Sequence, residues 1–259
     1  MDPKIITSRT NGLIEKLREL RDDPPGYLLF LEGPKLLEEA LKSSLVIDQL
    51  IYVAETASRP DVQTALALAR EKVQVTPYVL EGLSDVEAPQ GVIAIVRKPA
   101  SDWQQLLAKA PNPLMILDGI QNSGNAATIV RTAEAAGAAG VITTPGSARL
   151  FSPKALRGAM GSSLRLPVLE HQTVDVIVDK LAAAGYALLT AASPSAESIA
   201  YDAVDWTRAC ACVVGQEGRG LSAQWDGKKQ TRIHIPMAPA VESLNVAAAA
   251  AILLYAARR

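Results

Sequence analysis

Strand-length apolar runs alternate with segments of helical period along this 259-residue chain, and that alternation restricts it to the α/β class. Leu13, Leu17 and Leu20 mark a first helical stripe. Tyr27–Leu31 reads as a short strand, and Gly33-Pro34 opens a helix through Leu36, Leu37, Ala40 and Leu41. Val46–Val53 and Val73–Val79 are expected as strands flanking a helix at Val62–Arg70, and Gly91–Val96 as a buried strand closing the unit. Pro99–Pro113 holds three prolines around the short helical piece Trp103–Ala108 and reads as a linker. The chain is thus expected to form one domain at 1–98, a linker at 99–113 and a second domain at 114–259. The second would begin with Leu114–Leu117, a strand buried on both faces, and continue through strands at Val141–Thr143, Ala187–Thr190, Cys212–Val214 and Arg232–Ile235. Helices near Ala126–Ala136, Pro153–Gly158, Val174–Ala184 and Val246–Ala257 intervene.

Composition narrows the function less than the pattern does. A 49% hydrophobic chain can bury one large core or two smaller ones, while 4% aromatics argue against a surface that stacks many bases. A net charge of -1 does not mark a nucleic-acid binder. The charge is uneven, however. Up to Lys98 there are 12 basic and 15 acidic residues, and beyond it 14 and 12. Between Glu134 and Glu170 lie Arg149, Lys154, Arg157 and Arg165 with no acidic residue, either a solvated face or an anion-binding one. Cys210 and Cys212 share one face of a strand and read as core thiols. With only His171 and His234 beside them they build no zinc site, so no metal is expected. The N-terminus lacks a charged-then-apolar signal pattern. The longest apolar run, Val246–Ala257, is shorter than the roughly 20 residues a membrane span needs. No membrane association and a reducing cytoplasm are the expectation.

Three segments carry chemistry. In Val213–Tyr255 a strand enters the glycine loop Gly215-Gln216-Glu217-Gly218-Arg219-Gly220-Leu221-Ser222, a second strand ends at Ile235-Pro236-Met237, and Glu242-Ser243-Leu244-Asn245 opens an alanine-rich helix. Strand ends that meet such loops expose backbone amides and carbonyls, which suits a nucleotide-like cofactor. The glycine order differs from the dinucleotide-binding fingerprint, and no Walker sequence is present. Glu217 either faces a positive ligand or serves as a cap. Leu117–Ala133 is a strand-to-helix loop in which Asn125 is placed to cap the helix that Gly137 ends. Arg131 follows about two turns in, with Glu134 as a candidate ion-pair partner. In Phe151–Ser163, Ser152 and Pro153 suit a helix start, and Lys154 and Arg157 share one face, where phosphate contact is a natural use.

The order and spacing of these three segments resemble the signature motifs of the SpoU/TrmH family in the SPOUT superfamily, the knotted RNA 2′-O-ribose methyltransferases. Ile5–Asn11 and Leu31–Lys35 look like the RNA-recognition domain that precedes the catalytic domain in many members, one related to ribosomal RNA-binding proteins. The resemblance implies a C-terminal α/β domain with a deep trefoil knot, a homodimer, and S-adenosylmethionine as methyl donor. It assigns catalysis to Arg131, Asn125, Glu217 and Asn245, and donor binding to Thr190, Gly215, Ile235, Met237, Ser243 and Leu244. RNA contact would fall to Arg9, Lys35, Lys154 and Arg157. The implied reaction is attack by a ribose 2′-oxygen on the donor methyl group, on ribosomal RNA of the 23S type given the two-domain form. A tRNA target, or a knotted RNA-binding protein without catalysis, is the alternative.

Overall fold

The computed structural model describes residues 5–258. In chain order the elements are α1 (Gly12–Asp22), β1 (Leu28–Glu32), α2 (Pro34–Lys42), β2 (Ile47–Tyr52), α3 (Pro60–Leu68), β3 (Glu71–Gln74), α4 (Pro77–Leu83) and β4 (Val92–Arg97). There follow α5 (Trp103–Leu107), β5 (Leu114–Leu117), α6 (Ser123–Ala135), β6 (Gly140–Thr143), α7 (Pro153–Gly158), α8 (Ser162–Arg165) and β7 (Val168–Leu169). The chain closes with α9 (Val174–Ala183), β8 (Ala187–Ala191), β9 (Ile199–Ala200), β10 (Cys210–Val214), β11 (Thr231–His234) and α10 (Val246–Ala256).

Two compact units result. One runs to Pro99 and takes in Phe151–Arg165; the other comprises Ala100–Leu150 and the chain from Leu166 onward. The units are therefore not contiguous in sequence, and the segment carrying Lys154 and Arg157 groups with the N-terminal one.

In the first unit the strand order is β1-β4-β2-β3, with β4 antiparallel to both its neighbours and β2 parallel to β3. Its core joins Ile14 and Leu17 of α1 to Phe30, Ile51, Ile93 and Ile95 of the sheet, and to Val79 and Leu83 of α4. That last contact corrects the strand expected at Val73–Val79. Pro77 starts a helix whose Val79, Leu80 and Leu83 are buried, because proline suits a first helical turn and lacks the N–H a continuing strand needs.

In the second unit every strand pairing is parallel, in the order β7-β6-β5-β10-β8-β11-β9. Strands β5, β6 and β10 are buried throughout, as a sheet covered on both faces requires. Leu114, Ile116, Ile142, Ala211 and Val213 pack with Ile177 and Leu181 of α9 and with Trp225. Cys210 and Cys212 are both buried on β10 and form no disulfide. A hydrogen bond with Cys210, together with burial, pushes the Cys212 thiol well above its ordinary value. Among the described residues no helix is long and apolar enough to cross a membrane, and no group of three or more His, Cys, Asp or Glu could hold a metal ion.

Candidate active site

Parallel strands direct all their C-terminal ends to one edge of the sheet, and the connections that leave that edge are where an α/β fold builds its sites. Here β5, β10 and β11 lead into the loops that carry the first and third sequence motifs.

The loop after β5 turns into α6 through Asn122, whose Oδ1 accepts from the backbone N–H groups of Gly124 (2.8 Å) and Asn125 (3.1 Å). Asn122, not Asn125, is the cap. Two asparagines three residues apart compete for that role, and the one further from the helix takes it. The side chain of Asn125 is thereby released. Its Nδ2 donates to Glu217 Oε1 at 2.8 Å, across 92 residues of sequence. Asn245 Nδ2 donates to the same oxygen at 2.8 Å and to Asn125 Oδ1 at 3.3 Å. The Val246 N–H also donates to Glu217 Oε1, at 3.4 Å. Asn245 does cap its helix, since Oδ1 accepts from Ala247 N (2.9 Å) and Ala248 N (3.4 Å). Of the two readings held open for Glu217, the structure bears on the cap alone: Glu217 receives one N-terminal amide of α10 and anchors two asparagine amides.

This division of labour predicts a stability difference. Asn122→Ala should lower the unfolding free energy by about 1 kcal/mol, the usual cost of a lost N-cap. Asn125→Ala removes no helix cap and should cost less than Asn122→Ala. Denaturant titration of the two variants checks this; equal losses would return the capping role to Asn125.

The loop after β10 is closed on itself. Gln216 N donates to Gly220 O and Gly220 N to Gln216 O, each at 2.9 Å. Gly218 and Gly220 hold φ of 76° and 71°, a region that favours glycine. At Gly215 a β-carbon would overlap the backbone of Gly220 and Leu221, so only glycine fits. This loop forms one wall of a cavity of about 480 Å³ lined by Gly215, Glu217, Ile235, Met237, Ser243 and Leu244, among others. Five of the six residues assigned to the donor therefore surround one space. Its backbone-rich, partly apolar lining suits a nucleoside with an aliphatic tail. Thr190 does not line it. Thr190 is buried at the end of β8 and faces an adjoining cavity of about 250 Å³, which shares Ala191, Ala192 and Ser193 with the larger one.

Arg131 stands apart from the Asn125–Glu217–Asn245 cluster. Six helical residues beyond Asn125, it lies about 9 Å along α6 and well around the helix. Its side chain is exposed and makes no hydrogen bond or ion pair among the described residues, so the surface pair with Glu134 is not formed.

The cations assigned to RNA differ in their engagement. Arg9 stacks on Tyr78, 3.8 Å from the ring centre, and pairs with Glu81 at 3.3 Å. Lys35 pairs with Glu39 at 3.0 Å and Glu38 at 3.3 Å, and these hydrogen bonds raise its affinity for its proton above the ordinary value. Arg157 is half-buried against Asp85 at 2.9 Å, with Glu32 at 3.9 Å. Arg165 pairs with Glu39. Of the four cations assigned to RNA (Arg9, Lys35, Lys154 and Arg157), only Lys154 is exposed and without a partner among the described residues. Arg219, between the two left-handed glycines, is equally exposed and unpartnered there. Its place in the loop was visible in the sequence, but nothing local distinguished it from a solvated charge.

Residues 112–255 match the SpoU rRNA Methylase family, and residues 14–94 match the MRM3-like substrate binding domain. The chain belongs to the SpoU rRNA Methylase family. It is 32% identical over 255 residues to the 23S rRNA (guanosine(2553)-2'-O)-methyltransferase RlmP of Bacillus subtilis, covering 97% of this chain and 98% of that one. It is 30% identical to the 23S rRNA (uridine(2479)-2'-O)-methyltransferase of Streptomyces viridochromogenes, covering 88% and 81%. Among solved structures, the AdoMet-bound rRNA methyltransferase from Sinorhizobium meliloti superposes with a TM-score of 0.84 at 27% identity, covering 98% of this chain and 97% of that one.

Proposed function

We propose that the protein is an S-adenosylmethionine-dependent methyltransferase acting on a ribose 2′-hydroxyl of 23S ribosomal RNA. The observation that carries this reading is the convergence of Asn125, Glu217 and Asn245 at the rim of the pocket walled by Gly215, Ile235 and Leu244. Bound there, S-adenosylmethionine supplies an electrophilic methyl group on a sulfonium.

The chain's own residues must align the ribose oxygen and stabilise it as its proton leaves. Glu217 holds both asparagine amides through Oε1, and Oε2 accepts no hydrogen bond among the described residues. That oxygen is available to a cationic ligand or a hydroxyl. A guanidinium offers donors and no acceptor, so Arg131 is not assigned the role of base. Its planar donor fork suits a phosphate and the negative charge that develops on the ribose oxygen. The proton then passes to phosphate or water. Lys154 is the second-motif cation best placed for phosphate, because Arg157 already has carboxylate partners.

The same reading carries a trefoil knot in the second unit, a homodimer and a cytoplasmic location. Exposed Val241, Leu244 and Tyr255, before and along α10, support the dimer. Light scattering at micromolar concentration should give twice 27.4 kDa; a monomer would refute it. The function itself is tested by single-turnover transfer of labelled methyl to 23S rRNA and to tRNA, with mapping of the modified ribose. Label on tRNA alone would exclude the ribosomal target, and label on neither would exclude the enzyme.

A further inference from the structure

We propose that Asp118 is a positioning residue of the donor site, which fixes the Gly215–Ser222 loop by gripping its far end at Ser222. The proposal rests on the reading of the adjoining pocket as the donor site. Neither the motif resemblance nor the family match singles out this carboxylate.

Asp118 follows β5 directly and is 3% exposed. A carboxylate so buried is tolerated only when its oxygens are hydrogen-bonded, and here they are. Oδ2 accepts from the Ser222 N–H at 2.6 Å, and Oδ1 accepts from the Thr144 hydroxyl at 2.8 Å, with the Ser222 hydroxyl at 3.3 Å. Thr144 in turn accepts from the Gly119 N–H at 3.1 Å. Ser147 Oγ accepts from that same N–H at 3.0 Å and donates to Leu117 O at 3.0 Å. The result is a satisfied polar network at the ends of β5 and β6, and such networks specify one arrangement of the groups they join.

At that end Leu221 packs against the core and Ser222 O accepts from the Trp225 N–H at 3.1 Å, while Asp118 is the group that holds the Ser222 amide itself. Ser222, Gly220 and Glu217 are exposed. The tip is tied through Glu217 to Asn125 and Asn245, and the neck by the paired Gln216 and Gly220 bonds. Asp118 supplies the third tie, from a residue 104 positions away in sequence. With it removed, Gly215 and Glu217 remain chemically intact but the wall they form is free to shift. A charged hydrogen bond of this kind is worth roughly a tenfold effect or more.

The test uses the full chain and three variants. Asp118→Ala deletes the acceptor, and Asp118→Asn keeps the shape and one oxygen that can still accept from Ser222. Ser222→Pro deletes the N–H at a residue whose φ of -67° suits proline. Amide hydrogen exchange of residues 215–222 is followed without ligand, and S-adenosylmethionine affinity and the kcat and KM of transfer are measured alongside. Asp118→Ala and Ser222→Pro should each speed exchange in the loop by roughly tenfold and raise the donor Kd and KM by a similar factor. Exchange in β1–β4 should not change, and kcat at saturating donor should fall far less than the donor KM rises. Asp118→Asn should recover most of the loss, and the two deletions combined should add little to either alone. Wild-type loop protection in either deletion variant would overturn the proposal, as would equal losses in Asp118→Asn and Asp118→Ala. If Asp118→Ala does not fold, Ser222→Pro and Asp118→Asn carry the same decision. A wild-type protein that binds no S-adenosylmethionine would overturn the donor reading instead, and the exchange arm still decides whether Asp118 holds the loop.

Discussion

Arg131→Ala is expected to lower methyl transfer by roughly a thousandfold, the scale of losing a principal charge-stabilising donor, while donor affinity stays close to wild type. The two effects separate because Arg131 lies on the exposed face of α6 and is not among the residues that line the pocket proposed for the donor. Arg131→Lys should fail nearly as completely. An ammonium presents a point charge where the guanidinium presents a planar fork, and only the fork can pair two-toothed with a phosphate. The measurements are single-turnover transfer to 23S rRNA and calorimetry with S-adenosylmethionine on each variant. Full activity in Arg131→Ala would reduce Arg131 to a solvated charge on a helix. Lost donor binding would place its role in the pocket instead of on the RNA.

The second large effect is expected at Glu217. Its Oε1 takes donors from Asn125, Asn245 and the first amide of α10. Glu217→Ala would release all three at once, and transfer should fall by roughly a hundredfold or more. Because Glu217 also lines the pocket proposed for the donor, the donor Kd should rise as well. Glu217→Gln separates geometry from charge. An amide oxygen can still accept from the two asparagines, whereas the complement to a sulfonium is gone. The glutamine variant should therefore keep most of the transfer rate at saturating donor while binding the donor about tenfold more weakly, the scale of one charge-assisted contact. If Glu217→Ala transfers methyl within twofold of wild type, the three-residue cluster has no part in the reaction.

The two predictions draw on different amounts of sequence information. Strands β5, β6 and β10 were legible because parallel strands covered on both faces read as short, unbroken apolar runs. The helices at Pro153–Gly158 and from Val246 were legible from their first-turn residues and spacing. Short β7 and β9, two residues each, exist only through pairing with β6 and β11 and leave no local signature. The region after Val73 misled because Val73, Val75 and Val79 carry strand-type side chains. Yet Pro77 divides them between β3, its extension and α4. At the site, motif spacing brought Asn125, Glu217 and Asn245 forward as candidates, but could not say that they share one oxygen. It placed the cap at Asn125 where the structure has Asn122, since propensity treats two asparagines alike. The partners of Arg157 were out of reach for the same reason. Asp85 and Glu32 lie more than 70 residues upstream, and only the fold brings them to its guanidinium.

A sulfonium methyl group alkylates a good nucleophile wherever it finds one, and the protein that stores it is itself full of candidates. The chain's two thiols sit on β10, the strand that delivers the backbone to Gly215 at the pocket wall. The thiolate, not the thiol, is the reactive form. The hydrogen bond with Cys210, together with burial, favours the thiol form of Cys212. No cysteine, lysine or histidine is among the described residues that line the pocket. A donor bound in the proposed pocket would thus have no thiol, amine or imidazole in the wall around it.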